Sequence, residues 1–155
     1  MKYFPRTAIL VLALLLTGVM APGTVSAQFW EIPDPALPQI AMVRADPQWG
    51  YAVIYNPDLC RQTGAACAFF RAHEYAHVVL NDPLLPPGYY PPSMERKADC
   101  WAAKYITAQE AHAALTFFSE VDEYPEVPVT GDPAHRAQTI SACAKLDVNR
   151  GQVLP

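Results

Sequence analysis

The chain has 155 residues, with 11 lysines and arginines against 15 aspartates and glutamates and a net charge of −4 at pH 7. An acidic balance of this kind speaks against a nucleic-acid surface, which needs a basic patch. The length fits one domain around one core, of a size that disulfides or a metal often reinforce.

In chain order, residues 1–27 have the three parts of a secretory signal. Lys2 and Arg6 come first, Ala8 to Leu16 is almost wholly apolar, and Val25-Ser26-Ala27 ends on small residues. The alternative, an uncleaved anchor, needs ~20 consecutive apolar residues, and this run is broken by Thr17, Gly18 and Pro22. Cleavage after Ala27 removes two cations and no acid, taking the net charge from −4 to −6. It predicts a periplasmic or extracellular protein with no stable membrane insertion, consisting of one domain over residues 28–155.

Residues 28–39 carry Phe29, Trp30, Ile32, Ala36 and Leu37 among Pro33, Pro35 and Pro38, which predicts an extended arm packed along the domain surface. Ile40–Ala45 and Tyr51–Tyr55 are short β-type runs joined by Asp46-Pro47-Gln48-Trp49-Gly50, and predict a hairpin. From Gly64 to Leu80 there is no proline, and Asn81-Asp82-Pro83 closes a predicted helix. Residues 82–92 hold five prolines and predict a stiff irregular loop. Ser93 is the predicted N-cap of a helix reaching about Ile106. Thr107-Ala108-Gln109-Glu110 has capping-box spacing for another helix ending near Val121, antiparallel to the one before it. After the proline-containing stretch 122–131, Asp132-Pro133 opens a last helix to about Leu146. The predicted class is α+β, mostly α.

The chemistry is concentrated in His73-Glu74-Tyr75-Ala76-His77. Two histidines four residues apart share a helix face about one turn apart, so both rings can reach one zinc ion, Zn2+, and Glu74 lies beside them to take a proton from a zinc-polarised water. A catalytic zinc needs a third protein ligand and an open fourth position. Glu95 is the candidate, in Glu95-Arg96-Lys97-Ala98-Asp99, where Asp99 shares its face one turn later. From there Asp99 can hydrogen-bond the outer nitrogen of a histidine.

These two motifs resemble those of the gluzincins, the thermolysin-like and membrane-associated Ste/HtpX-like metallopeptidases, over roughly residues 64–108. The resemblance implies a minimal zincin-like domain in which His73, His77 and Glu95 bind zinc, Glu74 is the catalytic base and Asp99 supports a ligand. The Ala98-Asp99 ending is closer to the Ste/HtpX-like branch, whose transmembrane helices are absent. Two departures bear on subfamily and substrate: Arg71 stands two places before His73, and the gap between the motifs is short. A metzincin pattern fails because Leu80 and Pro83 stand where it needs Gly and His or Asp. An aspzincin reading, with Asp99 as ligand, lacks that group's Gly-Thr-x-Asp element.

For stabilising an oxyanion the candidates are Tyr89 and Tyr90, in the loop between the motifs, and His135 and Arg136, in a segment loosely like one that carries a functional arginine in the Ste/HtpX-like enzymes. The bland alternatives are packing against prolines for the tyrosines and a solvated surface for His135 and Arg136. His112 reads as a helix-surface residue or a satisfied packing position rather than a ligand. Tyr51–Tyr55 could offer a sheet edge to a substrate strand. Cys60, Cys67, Cys100 and Cys143, an even number in an exported chain, predict two disulfides. Of three connectivities, Cys60–Cys67 with Cys100–Cys143 leaves the metal to His and Glu; the rival thiolate site lacks any Cys-x-x-Cys pair.

The expected activity is therefore zinc-dependent hydrolysis of a peptide or protein substrate. The alternatives are an inactive zinc-binding or cell-envelope interaction protein, and a metal-free scaffold.

Overall fold

Two apolar runs meet across a polar turn to make the predicted hairpin, β2 (Ala41–Asp46) with β3 (Gly50–Tyr55), in the computed structural model. It describes residues 30–86, 89–120, 131–144, 146–147 and 152–153; the signal-like segment 1–27, Phe29, Val121 and nearly all of the stretch 122–131 lie outside the described residues. The Asp46 carboxylate accepts from the amides of Gln48 (2.8 Å) and Trp49 (3.0 Å) and so folds the turn. Gly50 closes it at φ 78°, a conformation that a side chain would strain.

The segment expected as an extended arm is extended, but it is not a free arm. Trp30–Pro33 forms β1, paired in parallel with β3 from Trp30↔Ala52 to Pro33↔Tyr55, and Trp30 stacks on Trp49 with centroids 4.5 Å apart. Prolines mask such a strand in the sequence, but the pattern suits an edge, where missing N–H donors cost little. The order is β1-β3-β2, so β3 is central and cannot offer the free edge expected of Tyr51–Tyr55; β2 can. One sheet face puts Val53 and Ala41 into the helical core, and the other puts Ala52 and Ile54 under Leu37.

Asn56-Pro57 starts a helix that the sequence reading missed, α1 (Pro57–Thr63). The Asn56 side chain accepts from the amides of Asp58 and Leu59 and donates to Leu37 O (2.7 Å), while Pro57 occupies the first turn where its missing N–H costs nothing. A 3-10 turn over Gly64–Ala66 leads into α2 (Cys67–Val79), within the predicted span. Its buried face, Phe69, Phe70, Ala72, His73, Ala76 and His77, recurs at helical spacing. Phe69 and Phe70 meet Phe118 and Phe117 edge-on at 5.8 and 5.4 Å.

Helix α3 (Pro92–Tyr105) starts a residue before the expected Ser93 cap. Pro91 holds the cap position without a side-chain bond, and its carbonyl accepts from the amides of Met94 and Glu95. Its buried residues, Ala98, Asp99, Ala102 and Ala103, are small and let α2 approach closely. Helix α4 (Ala108–Ser119) has the predicted capping box: Thr107 Oγ1 accepts from Glu110 N, and Glu110 accepts from Thr107 N. Helix α5 (Pro133–Ala144) ends short of Leu146, which begins β4 (Leu146–Asp147), paired with β5 (Gln152–Val153). Helices α3 and α4 are not the antiparallel neighbours expected; α5 packs against both.

Both predicted disulfides are present. Cys60–Cys67 ties α1 to the first residue of α2, and Cys100–Cys143 ties α3 to α5. In a chain-entropy account, sequence separations of 7 and 43 correspond to about 2 and about 4 kcal/mol. The longer one therefore contributes more, and it lies beside Asp99. No described helix is long and apolar enough to cross a membrane.

Candidate metal centre

Helix α2 turns His73 and His77 inward together, 5% and 0% exposed, with their Nε2 atoms 3.2 Å apart. Two nitrogens each about 2.0–2.1 Å from one tetrahedral ion would be about 3.3 Å apart, so the separation fits a shared divalent metal. The Glu95 carboxylate, delivered by the first turn of α3, completes the group. Its Oε2 lies 3.2 Å from His73 Nε2 and its Oε1 3.9 Å from His77 Nε2. Donor atoms of the three residues all lie within 4.8 Å of one another, so this group could hold a metal ion. Three protein donors leave a fourth position for water or substrate.

Each outer ring nitrogen is held by a carboxylate. His73 Nδ1 lies 2.7 Å from Asp99 Oδ1, one turn after Glu95 on α3. His77 Nδ1 lies 3.0 Å from Asp82 Oδ2, and the end of α2 explains how. Asn81 adopts the left-handed conformation (φ 57°), its N–H donates to Val78 O (3.0 Å), and the Asp82 N–H donates to His77 O (2.9 Å). This is a Schellman ending, and it bends the chain back so that Asp82 reaches the ring one turn earlier. With both Nδ1 atoms committed, both Nε2 atoms are available to one ion, the orientation that supporting carboxylates impose at metal-binding histidines.

Arg136 of α5 is 6% exposed and forks onto Asp99, Nε to Oδ2 at 3.0 Å and Nη2 to Oδ1 at 2.6 Å, while its guanidinium covers Phe118 at 4.6 Å. It fixes Asp99 and through it His73. This is neither the oxyanion role nor the solvated surface considered from sequence. Its signal was weak, since a buried arginine looks like any other until its carboxylate is known.

Glu74 points to the sheet. Its Oε2 accepts from Val43 N–H of β2 at 3.0 Å. Burial pushes its carboxyl above the ordinary value, outweighing the nearby His73 charge and the Val43 bond, and brings it closer to the range of a working general base. Burial also resists a charge on His73, but its hydrogen bonds to Asp99 and Glu95 prevail and raise its pKa to about 9. His77 moves the other way: burial and the neighbouring His73 charge outweigh Asp82 and lower it. Burial raises Glu95 and Asp99, but His73 outweighs it and holds both below the ordinary value, with Arg136 assisting.

Without metal, the proton on His73 therefore sits where an ion would bind, and metal uptake must release it. Below pH about 9 the apparent metal affinity is expected to rise about tenfold per pH unit, levelling off above that pH. A chelator-competition titration from pH 6 to 8 should show about a hundredfold gain with about one proton released per ion. A flat profile would rule out this protonation state.

The remaining sequence candidates divide. Tyr90 stacks on the His77 ring, with centroids 3.9 Å apart and planes 10° apart, and its hydroxyl accepts from Leu85 N–H at 3.1 Å. Tyr89 is 74% exposed and is not brought to the group. His135 is exposed on the rim of a cleft of about 550 Å³ beside Glu95, which Tyr90, Arg96 and Arg136 also line. His112 is exposed on α4, the surface position of the two considered from sequence. Arg71 is turned to the sheet, paired with Glu31 of β1 and lying over Tyr55 at 5.1 Å. Asp82 is the residue that sequence reasoning missed, having read it only as a helix stop. The chain matches no protein-family profile, and no curated protein and no solved structure is significantly similar to it.

Proposed function

We propose that the chain is an exported zinc peptidase of gluzincin type, with His73, His77 and Glu95 as ligands and Glu74 as general base. One observation carries the reading: two imidazoles with their outer nitrogens on carboxylates turn their inner nitrogens toward Glu95, and Glu74 lies on the same helix beside them. Zinc, when bound, supplies a Lewis acid that polarises a carbonyl and brings water toward a pKa of ~7. The two disulfides accord with an oxidising compartment.

The chain's own groups then divide the work. Glu74, its basicity raised by burial, accepts a proton from the attacking water and passes it to the departing amine. Asp99 and Asp82 hold the rings in place, and Arg136 holds Asp99. The outer edge of β2, beside Glu74, is where an extended peptide can add as a further strand. Of the four oxyanion candidates, Arg136 is engaged by Asp99 and Tyr89 faces solvent, which leaves the Tyr90 hydroxyl and His135, both lining the cleft beside Glu95.

The test is elemental analysis of the purified mature chain alongside hydrolysis of casein. About one zinc per chain, with cleavage abolished by a chelator and restored by zinc, supports the reading. Zinc without cleavage would sink the peptidase role and leave an inactive zinc-binding protein; no zinc would sink both.

A further inference from the structure

The contact between Glu74 and the sheet has a cost for any peptide that adds to β2. Val43 pairs with Val53 across β3, yet its N–H is given to Glu74 Oε2 at 3.0 Å. That amide therefore points outward from the sheet, as do the amides of Ala41 and Ala45, since successive residues of an antiparallel edge alternate between inward and outward bonding. An added strand would use these outward groups. The carboxylate needed beside His73 and Glu95 thus occupies the middle one of the three.

We propose that Val43 N–H is a latch: it holds Glu74 in the unliganded protein, and a carbonyl of an extended peptide adding along β2 takes the amide in its place and releases the carboxylate toward the metal ligands. This rests on the peptidase reading. The base is then freed only when a peptide backbone lies along β2, so a small molecule that reaches the metal without pairing with the strand leaves Glu74 latched. Two geometric facts make an exchange, rather than mere addition, necessary. The Val43 N–H is a single donor, and the contact spans two elements that the core fixes, β2 through Ala41 and Val43 and α2 through Phe69, Ala72 and Ala76. The side chain can swing away, but the strand cannot retreat from it.

The experiment measures binding of fluorescently labelled oxidised insulin B chain, an unfolded peptide, by anisotropy. It uses the full chain in chelator, so that nothing is cleaved. Glu74→Ala should bind the peptide about tenfold more tightly, the factor expected when a charge-assisted hydrogen bond no longer has to be displaced. Val43→Pro removes the amide at an edge position where no ladder bond is lost. It should bind more weakly than wild type, and adding Glu74→Ala to it should change nothing further. Should Val43→Pro fail to fold, the Val43 amide resonance of the wild type serves instead: saturating peptide should shift it, and Glu74→Ala should move it before any peptide is added. Equal affinity of wild type and Glu74→Ala overturns the latch while leaving the peptidase reading intact. Binding by neither overturns both.

Discussion

Glu74→Gln is expected to leave zinc content unchanged and to lower turnover by roughly 10²–10⁴-fold, the usual contribution of a positioned general base. Its carboxylate is not among the donors that converge on the ion position, which come from His73, His77 and Glu95. The amide is nearly isosteric and its oxygen can still accept from Val43 N–H, so the fold and the contact with β2 should survive. Basicity is lost, because a neutral amide cannot take up the proton of the attacking water. Zinc per chain and kcat on one peptide, measured on the same preparation, separate the possibilities. Turnover within a few fold of wild type would remove Glu74 as the base, and zinc loss in parallel with activity would make it a ligand.

The pair of motifs was legible because each is written at helical spacing, and that spacing alone fixes which side chains share a face. His73 and His77 on α2, and Glu95 and Asp99 on α3, could be placed without knowing how the helices pack. The partners that depend on chain reversal or tertiary packing could not. Asp82 reaches His77 only through the left-handed Asn81, and Asn-Asp-Pro announces only that the helix ends there. Arg136 meets Asp99 across 37 residues of sequence, a contact made by the packing of α5 on α3.

The same limit applied to the fold. Helix α1 spans seven residues, too few for a hydrophobic period to emerge, although Asn56-Pro57 carried its capping signature. The β1 strand was hidden by Pro33 at its end and by Pro35 and Pro38 just after it, and its parallel pairing with β3 depends on where the chain returns. That pairing made β3 central and moved the usable edge to β2. The disulfides were assigned correctly by a chemical argument, that His and Glu were needed for the metal and the thiols were not.

Glu95→Ala is expected to abolish stoichiometric zinc binding, a larger loss than the 10–100-fold typical of removing a supporting residue, while costing the chelator-treated protein much less stability than Asp99→Ala does. The Glu95 side chain is 24% exposed at the mouth of the cleft, so its removal gives up a partly exposed hydrogen bond to His73 and strands no buried carboxylate. Asp99 differs in kind. It is 1% exposed and carries both nitrogens of the Arg136 fork as well as His73 Nδ1. Asp99→Ala takes both bonds of the fork from a buried guanidinium, and breaking a buried pair costs about 3–5 kcal/mol, a large part of the 5–15 kcal/mol that typically holds a domain together. Zinc loss in Asp99→Ala would therefore reflect unfolding as much as a lost support. Asp99→Asn, which keeps an oxygen for Arg136, is the variant to compare, and its affinity should fall within the 10–100-fold range. Thermal denaturation in chelator, set beside zinc content, resolves the two effects. Glu95→Ala should lose metal with only a small fall in Tm, Asp99→Ala should lose Tm heavily whether or not metal is present, and wild-type zinc content in Glu95→Ala would remove Glu95 from the centre.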